Sequence, residues 1–310
     1  MRLGIPFCFV HLTLLSIPLI GWSIASLVAC AALYAVRALG ITVIYHRGMA
    51  HKSFRMGRRL QAAGAVVATA AAQRGPLWWV AHHRVHHRRT DRPGDPHSPV
   101  QCGLLSSHVL WMFSRANMGT DLGAVRDLAA YRELRLLDRF HHVVPVALAA
   151  SLFGLGALLS HTVPSLGVNG PQLVLWGFCV STVLLWHCTF AVNSLGHCFG
   201  RRPYATRDAS RNLWWLALLT MGEGWHNNHH RYPASARQGL GRFEVDPSWR
   251  LIRAAARLHL VRDVRTAPRR LPGGGGEPVR SGRTSGAGDH DAAGRRARPA
   301  RALSGPGAAA

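Results

Sequence analysis

Acidic residues are few in this sequence, and its cysteines are not paired. The six cysteines (Cys8, Cys30, Cys102, Cys179, Cys188 and Cys198) are scattered with no C-x-x-C among them. A thiolate zinc site and a disulfide framework are both disfavoured by that pattern. Asp and Glu number 14 against 37 Lys and Arg, almost all of them Arg, and the formal net charge is +23. A balance of this kind suits nucleic acid, anionic lipid or an acidic partner, and charge alone does not choose among them. No Ser, Cys or carboxylate is arranged as a nucleophile. What the chain has in excess is histidine, 19 residues in 310.

The 48 % hydrophobic content is concentrated in long runs, with the charges between them. Residues 4–20 and 23–44 form one closely spaced apolar pair, and 142–160 and 172–192 a second. A bilayer core of about 30 Å needs about 20 apolar residues, which the longer runs supply and 4–20 only nearly reaches. The links Gly21–Trp22 and 161–171 carry no Lys or Arg, whereas 45–141 and everything after 192 hold nearly all the Arg. The positive-inside rule then places both termini and the middle segment in the cytoplasm. The expectation is an all-α integral membrane protein with four transmembrane helices in two hairpins. A cytoplasmic helical cap carries the histidines. The shorter apolar stretches 59–73 and 211–222 are read as cytoplasmic or interfacial helices, because as spans they would put the histidine clusters on opposite sides of the membrane. Residues 1–262 are expected to form the membrane domain. The Gly/Ala/Pro/Arg-rich tail 263–310 has too few large apolar residues to fold. A signal peptide over 1–30 is disfavoured because the apolar character continues to Ile44.

The histidines fall into clusters: His46 and His51, then His83, His86 and His87 (with His82 before them), then His226, His229 and His230. His197 stands alone at the end of the fourth run. In H-x-x-H-H, positions i, i+3 and i+4 share a helix face, so each triplet is expected to converge on one point. Five residues rotate a side chain by about 140° on an ideal helix, so His46 and His51 fit better where a helix ends and the chain turns inward. Nine imidazoles on one side of the membrane exceed what one metal holds and suit two; imidazole accepts iron, copper, zinc or nickel. No carboxylate stands at ligand spacing, which sets the clusters apart from the Glu-x-x-His sites of soluble di-iron bundles. Asp91, Asp95 and Glu223 are candidates to orient the rings. Lone histidines such as His11, His108, His161 and His187 are read as structural or surface residues.

The order H-x-x-x-x-H, H-x-x-H-H, H-x-x-H-H resembles the membrane-bound acyl-CoA desaturases of the stearoyl-CoA (delta-9) type. So do Tyr45-His46-Arg47, Gly75-Pro76-Leu77-Trp78-Trp79, Asp95-Pro96-His97-Ser98, Asn193-Ser194 and Gly222-Glu223-Gly224-Trp225-His226. The likeness covers about 20–245. It implies two irons held by His46, His51, His83, His86, His87, His197, His226, His229 and His230, with Asn193 reaching one iron through a water. It implies that Gln73, Trp79 and Thr189 frame the bend of a substrate tunnel. It also implies an oxygen-dependent oxidoreductase that introduces a cis double bond, by default at delta-9, into a saturated long-chain acyl substrate, with CoA the expected carrier and a membrane lipid the alternative. Electrons would come from a ferredoxin or a cytochrome b5-like protein; no b5-type haem motif is visible in the chain itself. One departure stands out: the charged Arg-Asp pair that animal members carry before the second box, near the CoA part of the substrate, is here Ala81-His82.

Two other readings compete. A hydroxylase on the same scaffold would return oxygen to the carbon, although alkane hydroxylases usually show a shorter first spacing. A histidine-rich metal transporter would want ligands inside the spans rather than at their ends. Nucleic-acid binding rests on the net charge alone and is not expected.

Overall fold

The computed structural model describes residues 4–268. It is mostly helical. Three helices are long and apolar enough to cross a membrane: Ile24–Ala50, Val143–Thr162 and Gly170–Cys198. Gly4–Ile20 is a shorter apolar helix. We number the principal helices α1 (Gly4–Ile20), α2 (Ile24–Ala50), α3 (Arg58–Thr69), α4 (Pro76–Arg89), α5 (Arg132–Arg139), α6 (Val143–Thr162), α7 (Gly170–Cys198), α8 (Trp214–Leu219), α9 (His226–Arg231) and α10 (Pro247–Arg257).

Helix α1 is not continuous: a 3-10 turn spans Leu14–Ser16. Pro18 has no N–H to give to the Leu14 carbonyl, which takes the Ile17 N–H instead and tightens the turn. Gly21, at φ 69°, ends the helix and reverses the chain. Ser23 and Ser26 then cap α2 reciprocally. Trp176 Nε1 of α7 donates to the Gly21 carbonyl at 2.9 Å, tying the α1–α2 corner to the second apolar pair. A second clamp lies deeper. Arg37 of α2 is fully buried, and its guanidinium donates to Thr182 Oγ1 at 2.6 Å, to Ser181 and to the Ala70 carbonyl at 3.3 Å. At Gly40 the α2 backbone passes so close to Ala68 of α3 that a Cβ would lie 3.0 Å from its backbone.

The second span runs six residues past its expected end. Its last eleven residues, Gly40–Ala50, wind as a π-helix. The last of these wide turns closes where the His51 N–H donates to the His46 carbonyl at 3.1 Å. This corrects the α-helical estimate for the first box: a π turn bonds each residue to the fifth before it, so His46 and His51 stand near one another, ring centroids 4.8 Å apart.

The stretches 59–73 and 211–222 appear as the short helices α3 and α8. Near the end of the described chain, β2 (Val261–Arg262) pairs antiparallel with β1 (Arg55–Met56). Arg265 then bonds the backbone of Ser53 and Ala236, and Ala267 donates to Ser235 Oγ. From residue 269 onward the expected tail lies outside the described residues.

Candidate metal centre

Side-chain nitrogens of His46, His51, His83, His87 and His229 gather within 4.8 Å of one another, and those of His86, His197, His226 and His230 form a second such group. All nine predicted histidines are therefore brought together. The expectation that each H-x-x-H-H triplet converges on one point is corrected. His83 and His87, at i and i+4, enter the first group, and His86 enters the second; His226 and His230 enter the second, and His229 the first. Positions i+3 and i+4 lie about 100° apart around a helix, so α4 and α9, packed between the groups, each present one edge to either side.

The ring orientations point to metal ligation. Nε2 atoms face one another: His51 to His83 at 2.7 Å, His46 to His229 at 3.1 Å, His229 to His87 at 3.0 Å and His197 to His226 at 3.0 Å. Nε2 of His86 and of His230 are buried with no hydrogen-bond partner. Three Nδ1 atoms turn outward onto carboxylates in hydrogen bonds, His86 to Asp95 at 2.9 Å, His197 to Asp91 at 3.0 Å and His230 to Asp208 at 3.0 Å, and His46 Nδ1 lies 2.5 Å from a Glu223 oxygen. His229 Nδ1 meets Gln238 Nε2 at 3.3 Å. A carboxylate on Nδ1 fixes the proton there and leaves the Nε2 lone pair for a cation. Burial, reinforced by the neighbouring imidazoles, pushes His83, His87, His226 and His229 well below the usual imidazole range. His230 is pushed down to about 4, again chiefly by burial. Burial alone would raise Asp95, but its hydrogen bond with His86 holds it down at about 2. The donor set is thus convergent and unsaturated, which suits a pair of imidazole-bound metal ions.

Glu223 does more than hold His46. Arg47, fully buried, bonds its Oε1 at 3.1 and 3.2 Å and clamps Asp246 at 2.9 Å. Asp246 caps α10 through the Trp249 N–H.

A cavity of about 520 Å³ leads away from this site, lined largely by aromatic and aliphatic side chains and reaching His83 and Asn193 at its inner end. Gln73, Trp79 and Thr189 meet in its wall. Gln73 Nε2 donates to Thr189 Oγ1 at 3.1 Å, and Trp79 Nε1 approaches Gln73 Oε1 at 3.4 Å.

A family model described as fatty acid desaturase matches residues 22–263. The chain belongs to the fatty acid desaturase family. Among similar proteins, a delta-9 acyl-lipid desaturase 2 of Arabidopsis thaliana is 40% identical over 238 residues, 75% of this chain and 72% of that protein. An acyl-CoA C20 delta5-desaturase of Anemone leveillei is 37% identical over 242 residues, 76% and 72% of the two chains. An sn-2 palmitoyl-lipid 9-desaturase of Nostoc sp. (strain 36) is 38% identical over 236 residues, 74% and 78%.

This desaturase is accordingly an oxidoreductase of lipid metabolism and an integral membrane protein, with histidine clusters that could hold metal. Sequence reasoning did not single out Asp208 or Gln238. Both lie in irregular loops, and only the fold brings them to His230 and His229. His97 was noted only within the Asp95–Ser98 motif, yet it is buried against His86, ring centroids 4.4 Å apart. Arg84, which opens the Arg-rich stretch 84–92, is committed to Asp127 and to the Met49, Ala50 and Ala124 carbonyls.

Proposed function

We propose that the protein is an oxygen-dependent di-iron desaturase that puts a cis double bond, at delta-9, into a saturated long-chain acyl group. The observation that carries this reading is the sorting of nine imidazoles into two groups at the inner end of an apolar cavity. When bound, two irons would supply the oxidising power needed to take hydrogen from an unactivated methylene, which acid–base groups do not provide. His46, His51, His83, His87 and His229 would hold one ion. His86, His197, His226 and His230 would hold the other, and Asn193 would reach one of the two through a water. The protein's own residues do the rest. The cavity excludes water, and the Gln73–Thr189–Trp79 trio fixes a bend against which the chain is seated, so that one methylene pair faces the histidines. Two C–H bonds break and a C=C bond forms. Oxygen takes up the two hydrogens together with two electrons and two protons, leaving two waters. The electrons come from a ferredoxin or cytochrome b5-like donor, for whose acidic face the basic surface is complementary. In this reading α1 completes four crossing elements, and both termini and the metal site face the cytoplasm. Resemblance suggested CoA as the acyl carrier; relatives are named for both CoA and lipid substrates.

The test is a fatty-acid profile with double-bond localisation, by gas chromatography of a desaturase-deficient host expressing the chain. A new cis-monoene that vanishes with His86→Ala supports the reading and gives the bond position. Hydroxylated chains would instead assign the sister reaction.

A further inference from the structure

We infer that the substrate enters sideways from the bilayer as an acyl chain still esterified to a membrane glycerolipid, through a portal between the first turns of α1 and α6. This rests on the desaturase reading and names the carrier. The cavity runs from the metal side, at His83 and Asn193, outward to Phe9 of α1 and to Val146 and Ala149 of α6. Phe9 and Val146 line the cavity and are 65% and 66% exposed, so each stands at its open end. Both belong to apolar helices, and the residues around them (Ile5, Leu12, Val143, Phe153) are exposed too. The opening therefore lies in the part of the molecule that meets hydrocarbon rather than water. A chain leaving it passes into the bilayer at the depth of the first helical turns.

Charge argues the same way. A CoA thioester carries several phosphate charges and needs several free cations at the mouth. Among the described residues lining the cavity, Arg74 is the one Arg or Lys. It is already engaged, donating to the Met118 carbonyl at 2.8 Å and lying 4.6 Å above the Trp78 ring. Across His82 lies a second hollow of about 340 Å³, in the cap; its lining includes Asp121 and no Arg or Lys. That is a poor seat for a polyanion. The rim is instead His141, His142 and Arg74 beside apolar side chains, which matches a glycerol ester with at most one headgroup phosphate. Ala81-His82, in place of a charged pair, fits the same occupant: the His82 ring lies tilted against Trp78, centroids 4.2 Å apart, and bonds its carbonyl, so it closes the wall rather than reaching into solvent.

The experiment uses the purified full-length chain with iron, ferredoxin, its reductase, NADPH and oxygen. One arm presents vesicles of distearoyl-phosphatidylglycerol; the other presents stearoyl-CoA in vesicles of a fully unsaturated lipid. We expect monoene in the ester-bound lipid chains, with stearoyl-CoA converted at least tenfold more slowly. Faster conversion of stearoyl-CoA would overturn the portal while leaving the desaturase intact; no conversion of either would overturn both. A second measurement does not depend on turnover. A phosphatidylcholine carrying a diazirine on its acyl chain should crosslink to the segments around Phe9 and Val146. Ala149→Trp should suppress that crosslinking and lipid conversion together, at unchanged iron content. Undiminished crosslinking in that variant, or none in the parent, would sink the proposal.

Discussion

At the scale of single residues, the carboxylates behind the histidines decide whether the rings can serve. Asp208 touches only His230 among the nine, at 3.0 Å. Asp208→Asn keeps the shape but removes the charge that holds the Nδ1 proton, so we expect a 10–100-fold loss of metal affinity or activity, about the usual effect of such outer partners. Metal analysis of the purified variant, beside its turnover, checks this. The same ring gives a pH dependence with a definite sign. His230 titrates at about 4 in the folded chain and at about 6.5 when unfolded. Between those values the unfolded chain binds a proton that the folded chain does not, so stability rises with pH over this window and is lost as the pH falls from about 6.5 toward 4. Thermal melts and metal retention across pH 4–8 should decline together on the acid side and be flat above about 7. Eight of the gathered histidines were legible in the sequence because their spacing is local, and His197, which stands alone, came as a ligand only from the family resemblance. Asp208 and Gln238 were not legible, since a long-range contact leaves no periodic trace.

At the scale of elements, two corrections share one cause: helix geometry is stricter than a motif. At 3.6 residues per turn His46 and His51 would diverge, but Gly40–Ala50 winds wider and carries them together. A shared helix face suggests one meeting point for each triplet, but α4 and α9 each split theirs between the two groups. Each helix thereby sets the separation between the two groups, as a spacer does. Arg47 anchors this arrangement by holding Glu223 and Asp246 in a dry interior. Removing one member of a buried ion pair strands its partners. Arg47→Ala is therefore expected to cost about 3–5 kcal/mol, seen as loss of folded protein in detergent, whereas surface pairs such as Arg58–Glu133 should matter little.

At the scale of the whole molecule, the apolar runs gave the long helices to within a few residues at most ends, because about 20 consecutive apolar residues have few other destinations. The remaining run, 4–20, is a shorter helix broken by its own proline. In the proposed two-hairpin topology, which the arginine distribution supports, a reporter inserted at 161–169 should read the opposite side of the membrane from one placed after residue 192. Matching sides would refute the two-hairpin arrangement.

The ligand groups have a consequence for how the chain is held together. His46 and His229 are 183 positions apart in sequence, yet their Nε2 atoms are 3.1 Å apart. A metal bound there is a cross-link closing most of the polypeptide into a ring, and the second group closes others through residues 86 and 226. Cross-links of that span act mainly by restricting the unfolded chain, and the restriction grows with loop length. Chelation should therefore lower the melting temperature of the whole body, not only silence the site. A cell short of metal would see the protein's abundance fall along with its activity.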